Sequence, residues 1–220
     1  MGALTIVQRP QLDVIDVTTA KRALRIDTAA DDEKVQRIIY AATAIFDGNK
    51  GLLGRALMPQ TWQLDIEDLP LYEIPLPLPP LIQVTSVTYW DSTFTRQTLD
   101  PATYRIIPGG DEDVSTIRRV YNTTWPTVLT GEPDGVSVTF DCGYQDLQSP
   151  ANNPVPGPIK EAILVIAQAM YDTPGDDFFL TDSLSPKFKA AFNLARPYML
   201  KRLGYDDMKG VAYDAFADVA

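Results

Sequence analysis

Residues 69–90, LPLYEIPLPLPPLIQVTSVTYW, decide how the rest of the chain is read. Five of the 18 prolines fall in this stretch: Pro70, Pro75, Pro77, Pro79 and Pro80. Proline fixes φ, removes an N–H donor and pushes the preceding residue into an extended conformation. The first half is therefore expected to be a stiff extended strap lying on a surface, with Leu76, Leu78 and Leu81 packing beneath it. In the second half Val84, Ser86, Thr88 and Trp90 alternate with Thr85, Val87 and Tyr89, which is the period of a strand. The stretch thus marks the point where a helical beginning turns into a β middle.

Upstream, residues 1–16 read as extended, interrupted by Pro10, and Thr18 or Thr19 is placed to cap a short helix over Ala20–Ile26. Asp31, Asp32 and Glu33 carry the negative charge that a helix start favours. Val35, Ile38, Ile39, Ala42, Ile45 and Phe46 follow at amphipathic helical spacing, and Gly48, Gly51 and Gly54 end the run. From Thr61 the period becomes two, with Trp62, Leu64 and Ile66 alternating with Gln63, Asp65 and Glu67. Downstream of residue 90, Asp91-Ser92 reads as a turn. Tyr104–Ile107, Thr116–Tyr121 and Val136–Cys142 read as strands, and residues 61 to about 145 as some five short antiparallel strands.

After a proline- and asparagine-rich connector, Pro158 opens a helix whose Ile159, Ile163, Ile166 and Met170 are joined by Leu164, Val165 and Ala167. It should be buried on most sides. A last helix starts at Ser185-Pro186 with Phe188, Phe192, Ala195 and Met199 inward; Pro197 must kink or split it, and Gly204 closes it. The fold class expected is α+β: a helical bundle made by the N- and C-terminal helices, with a small antiparallel β unit inserted. The divisions are residues 1–60, 61–149, 150–204 and a tail, 205–220. In the tail Met208, Val211, Ala215 and Val219 share one side and Asp207, Asp214 and Asp218 the other.

Composition narrows the function. A hydrophobic content of 45% with 22% charged residues suits a globular chain with a core. A net charge of −10 argues against gripping nucleic acid, because phosphate affinity comes from clustered Lys and Arg. With no histidine, catalytic dyads and triads built on it and histidine metal sites fall away. The lone Cys142, inside an apolar strand pattern, reads as a buried thiol rather than a reactive one. No apolar run approaches the ~20 residues needed to cross a bilayer, and the start lacks the pattern of a signal peptide. The expectation is a cytoplasmic chain with no cofactor, no metal and no membrane partner.

The chemistry-bearing candidates are few. Asp65, Glu67 and Asp91 beside Trp62 and Trp90 could form a carboxylate glycan-hydrolysing groove, but the wet face of a strand and a turn account for them more simply. Gly109-Gly-Asp-Glu-Asp could hold calcium but lacks EF-hand spacing. Gly48-Asn-Lys-Gly-Leu-Leu-Gly lacks the ending of a phosphate loop. Trp62, Trp90 and Trp125 read as core or interface anchors.

Several motifs in a fixed order carry a family resemblance. They are Thr18-x-Ala-Lys-x-x-Leu-Arg-Ile26, the Asp31-Asp-Glu helix to Phe46, and Arg55-Ala-Leu-x-x-Gln-Thr-Trp62. Leu78-Pro-Pro-Leu-x-x-Val-x-Ser-Val-x-Tyr89 with Asp91 comes next, followed by Leu99-Asp-x-x-x-Tyr104, Trp125-Pro126, Val138-Thr-Phe-x-x-Gly-Tyr144 and Pro158-Ile-Lys-x-Ala-Ile-Leu164. Over residues 18–203 this order resembles the head–tail connector (adaptor) proteins of tailed bacteriophages and gene-transfer agents. The resemblance implies a non-enzymatic virion protein of the neck, between capsid and tail. It implies a homo-oligomeric ring, typically twelvefold, that docks under the portal, extends the DNA channel without binding DNA tightly and receives the next neck or tail component. The tail, through Tyr205, Met208, Val211, Tyr213, Phe216 and Val219, is the expected portal-docking arm. Leu76, Leu78, Trp90 and Trp125 are the expected subunit contacts. Another neck or tail-completion protein is the alternative.

Overall fold

The structure, a computed structural model, describes residues 3–70, 73–110, 113–146, 153–173 and 186–200. It is an α+β protein with two apolar cores. Each core follows from a different sequence period.

The first core is helical. Helix α1 spans Val17–Leu24 and is capped by Asp16, whose carboxylate accepts from the Thr19 N–H at 2.8 Å. The expected Thr18 or Thr19 cap is thus one turn late: Thr19 is the residue being capped, and the hydrogen bonds that Asp16 accepts from the Thr19 hydroxyl and N–H hold its carboxyl below the usual range. Helix α2, Asp32–Phe46, has the expected acidic first turn and buries Val35, Ile39, Ala42 and Phe46. Helix α3, Gly157–Asp172, carries proline in its first turn and buries Ile159, Ala162, Ile163, Ile166, Ala167 and Ala169. Helix α4, Pro186–Ala195, stops where Pro197 forces the chain into a short 3-10 turn over Arg196–Tyr198. Its buried residues are Phe188, Ala191 and Ala195, while Phe192 and Met199 are half-buried. No helix among the described residues is long and apolar enough to cross a membrane.

The second core lies among β strands, all of them paired antiparallel. One sheet has the order β1-β2-β8-β4-β5, made from Ala3–Gln8, Gln60–Ile66, Val136–Cys142, Leu81–Trp90 and Arg96–Thr98. The other has the order β3-β7-β6, from Glu73–Leu76, Ser115–Arg119 and Tyr104–Ile107. The N-terminal segment is therefore an added strand, and β5 completes a hairpin at the turn expected after Trp90. In β4 two register shifts, at 81/83 and 84/86, interrupt the simple alternation.

The proline stretch departs most from expectation. It is extended with Leu76 and Leu78 packed beneath it, as expected, but it is a paired sheet edge rather than a free strap. Residues 73–76 pair with β7, with Pro75 opposite Thr116, on an edge strand where a missing N–H is tolerated. Ile74, Leu76 and Leu78 are buried in the β core, together with Trp62, Leu64, Val87, Ile117, Val136, Val138 and Phe140. The Pro79–Pro80 bond is cis.

The two cores meet at residues 47–58 and 142–144. The Pro80 carbonyl accepts from Gly143, and the Leu57 carbonyl from Tyr144. The Asp47 carboxylate accepts from the Leu57 N–H at 2.7 Å and the Gln60 amide at 3.2 Å. Burial raises the Asp47 pKa above the carboxyl's usual value despite those bonds. At Gly143, with φ of +121°, a Cβ would sit 2.3 Å from the Met58 carbonyl oxygen, so only glycine fits.

Candidate functional site

Function in this chain has to be sought at surfaces. Among the described residues no group of three or more Cys, Asp or Glu gathers to hold a metal. Asp65 accepts hydrogen bonds from Ser137 and Gln63 within the sheet. Asp91 closes the β4–β5 turn, accepting from Thr93, Thr95 and Gln97, and these bonds lower its pKa to about 2. Two of the three candidate carboxylates, Asp65 and Asp91, are thus occupied in cross-strand and turn hydrogen bonds. Cys142 is fully buried, and desolvation drives its thiol pKa far upward, which keeps it protonated.

Of the expected subunit contacts, Leu76 and Leu78 are 1% and 2% exposed and spend their side chains inside the subunit. Trp90 and Trp125 are half-buried and reach the surface. The Trp125 indole N–H donates to the Pro70 carbonyl. Trp90 belongs to a compact exposed platform. Its ring stacks on Phe94 with centroids 4.9 Å apart and planes at 14°. The Arg96 guanidinium lies 4.8 Å from the Trp90 centroid. Asp134 ties the two together, accepting from the Trp90 indole at 3.2 Å and Arg96 at 3.3 Å. Arg96 also donates to Thr88 and Ser137. This network fixes Trp90 while Phe94, at the turn with φ of +58°, stays 60% exposed. The sequence signal for it was an aromatic residue four positions after Trp90 across a turn.

A second surface is a cleft of about 810 Å³ beside β6 and β7, lined by Arg105, Arg118, Arg119, Glu73 and the segment from Val120 to Thr124. Arg105 and Arg118 are cross-strand partners. Arg118 pairs with Glu73 at 2.8 Å, and Arg119 donates to the Thr123 carbonyl. Tyr121 stands at the rim, 96% exposed. Nothing in the strand pattern flagged these residues, because their proximity depends on β-ladder register. Among the described residues of the helices themselves, the exposed large apolar side chains are Tyr40 on α2 and Leu194 on α4. The expected portal arm, Tyr205, Met208, Val211, Tyr213, Phe216 and Val219, lies outside the described residues, as do Asp111 and Glu112 of the candidate calcium loop.

No family model and no curated protein sequence matches the chain. Solved structures do share its fold. A chain in the "Neck of empty GTA particle computed with C6 symmetry" superposes with a TM-score of 0.68 at 19% identity, covering 91% of this chain and 97% of that one. A chain of the "Virion of native gene transfer agent (GTA) particle" gives 0.68 at 19%, over 91% and 96%. One from the "Neck of native GTA particle computed with C12 symmetry" gives 0.63 at 17%, over 90% and 97%.

Proposed function

We propose that this chain is a structural protein of a virion neck, a head–tail connector that forms a ring under the portal, extends the DNA channel and docks the next neck component. The observation that carries the reading is a shared fold over nearly the full length of both chains with proteins in gene-transfer-agent necks. The ordered motifs from Thr18 to Leu164 point the same way.

The physical features suit the role. A closed ring needs heterologous contacts, with two different surfaces on each subunit. The β half offers the Trp90–Phe94–Arg96 platform and Trp125. The helical half offers Tyr40 and Leu194. A net charge of −10 favours a lumen that repels phosphate and lets DNA slide. Twelve copies, as in the resembling family, is the stoichiometry proposed.

The test is mass by light scattering on the purified chain, alone and with the portal, followed by negative-stain imaging. A ring in either condition is expected. A monomer that ignores the portal would overturn the connector reading and direct the search to other neck partners. Phe94→Ala should weaken assembly by about tenfold or more while leaving the fold intact, since an exposed aromatic anchor acts mainly through the contact it makes.

A further inference from the structure

We propose that the arginine cleft beside β6 and β7 is a carboxylate-binding site that receives the acidic segment 205–220 of a neighbouring copy of this chain, in place of the portal contact that the resemblance implies for that segment. The proposal rests on the ring reading above, because assembly is what brings a neighbour's segment within reach.

Charge distribution makes the cleft stand out. Between residues 61 and 145 the chain has four basic side chains, Arg96, Arg105, Arg118 and Arg119, against twelve acidic ones. Arg96 is engaged by Asp134 and Trp90. The other three all line one cleft. Arg105 and Arg118 face each other across the ladder, an arrangement that repels unless an anion lies between them. The Arg105 side chain makes no hydrogen bond or ion pair among the described residues, and the residue is exposed.

The ligand chemistry is already written on the cleft wall. Glu73 pairs there with Arg118, so a carboxylate suits the fork of guanidinium donors. Glu73 satisfies Arg118 and leaves Arg105 for an incoming anion. Tyr121 at the rim, with Asn122 beside it at φ of +63°, offers a ring for an apolar or aromatic side chain. The matching ligand therefore alternates carboxylates with aromatic or aliphatic groups. Segment 205–220, YDDMKGVAYDAFADVA, does so: Asp206, Asp207, Asp214 and Asp218 stand among Tyr213, Phe216 and Val219, with Lys209 as its one base.

Duplex DNA fits less well. Eight acidic residues in excess on the same unit repel a phosphate backbone at long range. A free acidic peptide meets the same repulsion, but a segment tethered within a ring does not rely on diffusional encounter. Its effective concentration is on the order of millimolar, which offsets that repulsion.

Pairs of introduced cysteines test this in the full chain. Thr124→Cys, on the cleft wall, and Ala217→Cys, in the segment, are placed on separate chains, mixed under assembling conditions and joined by a short bismaleimide. The native Cys142 is buried and protonated, so it does not compete. A cross-link between the two chain types is expected. Arg105→Glu with Arg118→Glu on the first chain should lower its yield by about tenfold or more. Asp214→Lys with Asp218→Lys on the second should restore it. Arg105→Glu alone faces Arg118 with an opposite charge, so it separates lost binding from lost folding.

A cross-link that ignores the charge reversal, or none in an assembly of full mass, overturns the proposal. So does Ala217→Cys joining the portal instead, or closure within one monomer carrying both cysteines. Short duplex DNA that binds the full chain and is released by Arg105→Glu/Arg118→Glu would assign the cleft to nucleic acid and also overturn it. If light scattering finds no assembly under any condition, the ring itself fails and the neighbour contact fails with it. The missing mass, not the cross-link, identifies that case.

Discussion

The helical and β halves reach equally dry cores by opposite routes. The helical core draws on both ends of the chain, from Val14 to Met58 and from Tyr144 to Ala195, and closes by long-range contact. The β core is nearly continuous in sequence, from Ala56 to Cys142. Yet the helical elements are legible locally, because an apolar stripe at helical spacing specifies its own inner face. The β elements are less so, because two sheets and a proline-bearing edge have to find their partners first. Sequence continuity and local legibility are separate properties, and here they are inverted.

The comparison can be broken most sharply at the cores. Phe140, in the central strand of the larger sheet, and Phe46, at the end of α2, are both fully buried. Replacing either by alanine should cost about 3–5 kcal/mol in denaturant unfolding. Both variants should lose amide protection in helices and strands together, because the backbone bonds at 56–58 and 143–144 couple the halves. Helix amides that stay protected in Phe140→Ala would mean two independently folding units instead.

The junction sharpens the same point. Gly143→Ala should destabilise by about 1–3 kcal/mol through positive φ and through contact with the Met58 carbonyl. A change below that range would show that the joint yields.

Asp47→Ala is expected to cost about 1–3 kcal/mol, because the Leu57 N–H and the Gln60 amide lose their acceptor. Asp47→Asn separates charge from hydrogen bonding. With its folded pKa raised above the usual 3.8, Asp47 favours the native state most below that value. Its contribution falls as pH climbs from there through the folded pKa. The asparagine variant should flatten that decline in denaturation midpoints taken across the acidic range. An unchanged slope would remove Asp47 as its source.

The smallest effect is expected at the β4–β5 turn. Asp91 should titrate near 2 by NMR, its stabilising effect present above 3.8 and lost as pH falls through about 2. Asp91→Asn should speed exchange of the Thr93 and Thr95 amides with no shift in global Tm. A lowered Tm would mean that the turn is coupled to the core.

The candidate surfaces were legible to unequal degrees. Trp90 was identified as an anchor from its residue type, but its platform depends on Phe94 and Arg96 returning across the Asp91 turn and on Asp134 arriving from a loop. In sequence Leu76 and Leu78 read both as packing beneath the proline stretch and as subunit contacts. Pairing of β3 with β7 turns them inward. The arginine cleft was not legible at all, since Arg105 and Arg118 meet only through ladder register.

By itself the sequence determined the α+β order, the helix faces, the break at Pro197 and the buried state of Cys142. These depend on the period of apolar residues, on φ restriction at proline and on local hydrophobicity, each acting over a few residues. Only the tertiary structure decided that the proline stretch is an edge strand buried on one face, that residues 3–8 join the sheet and that three arginines share one cleft. Those outcomes depend on which strand lies beside which, and strand pairing is fixed by whole faces burying apolar area together rather than by any one segment.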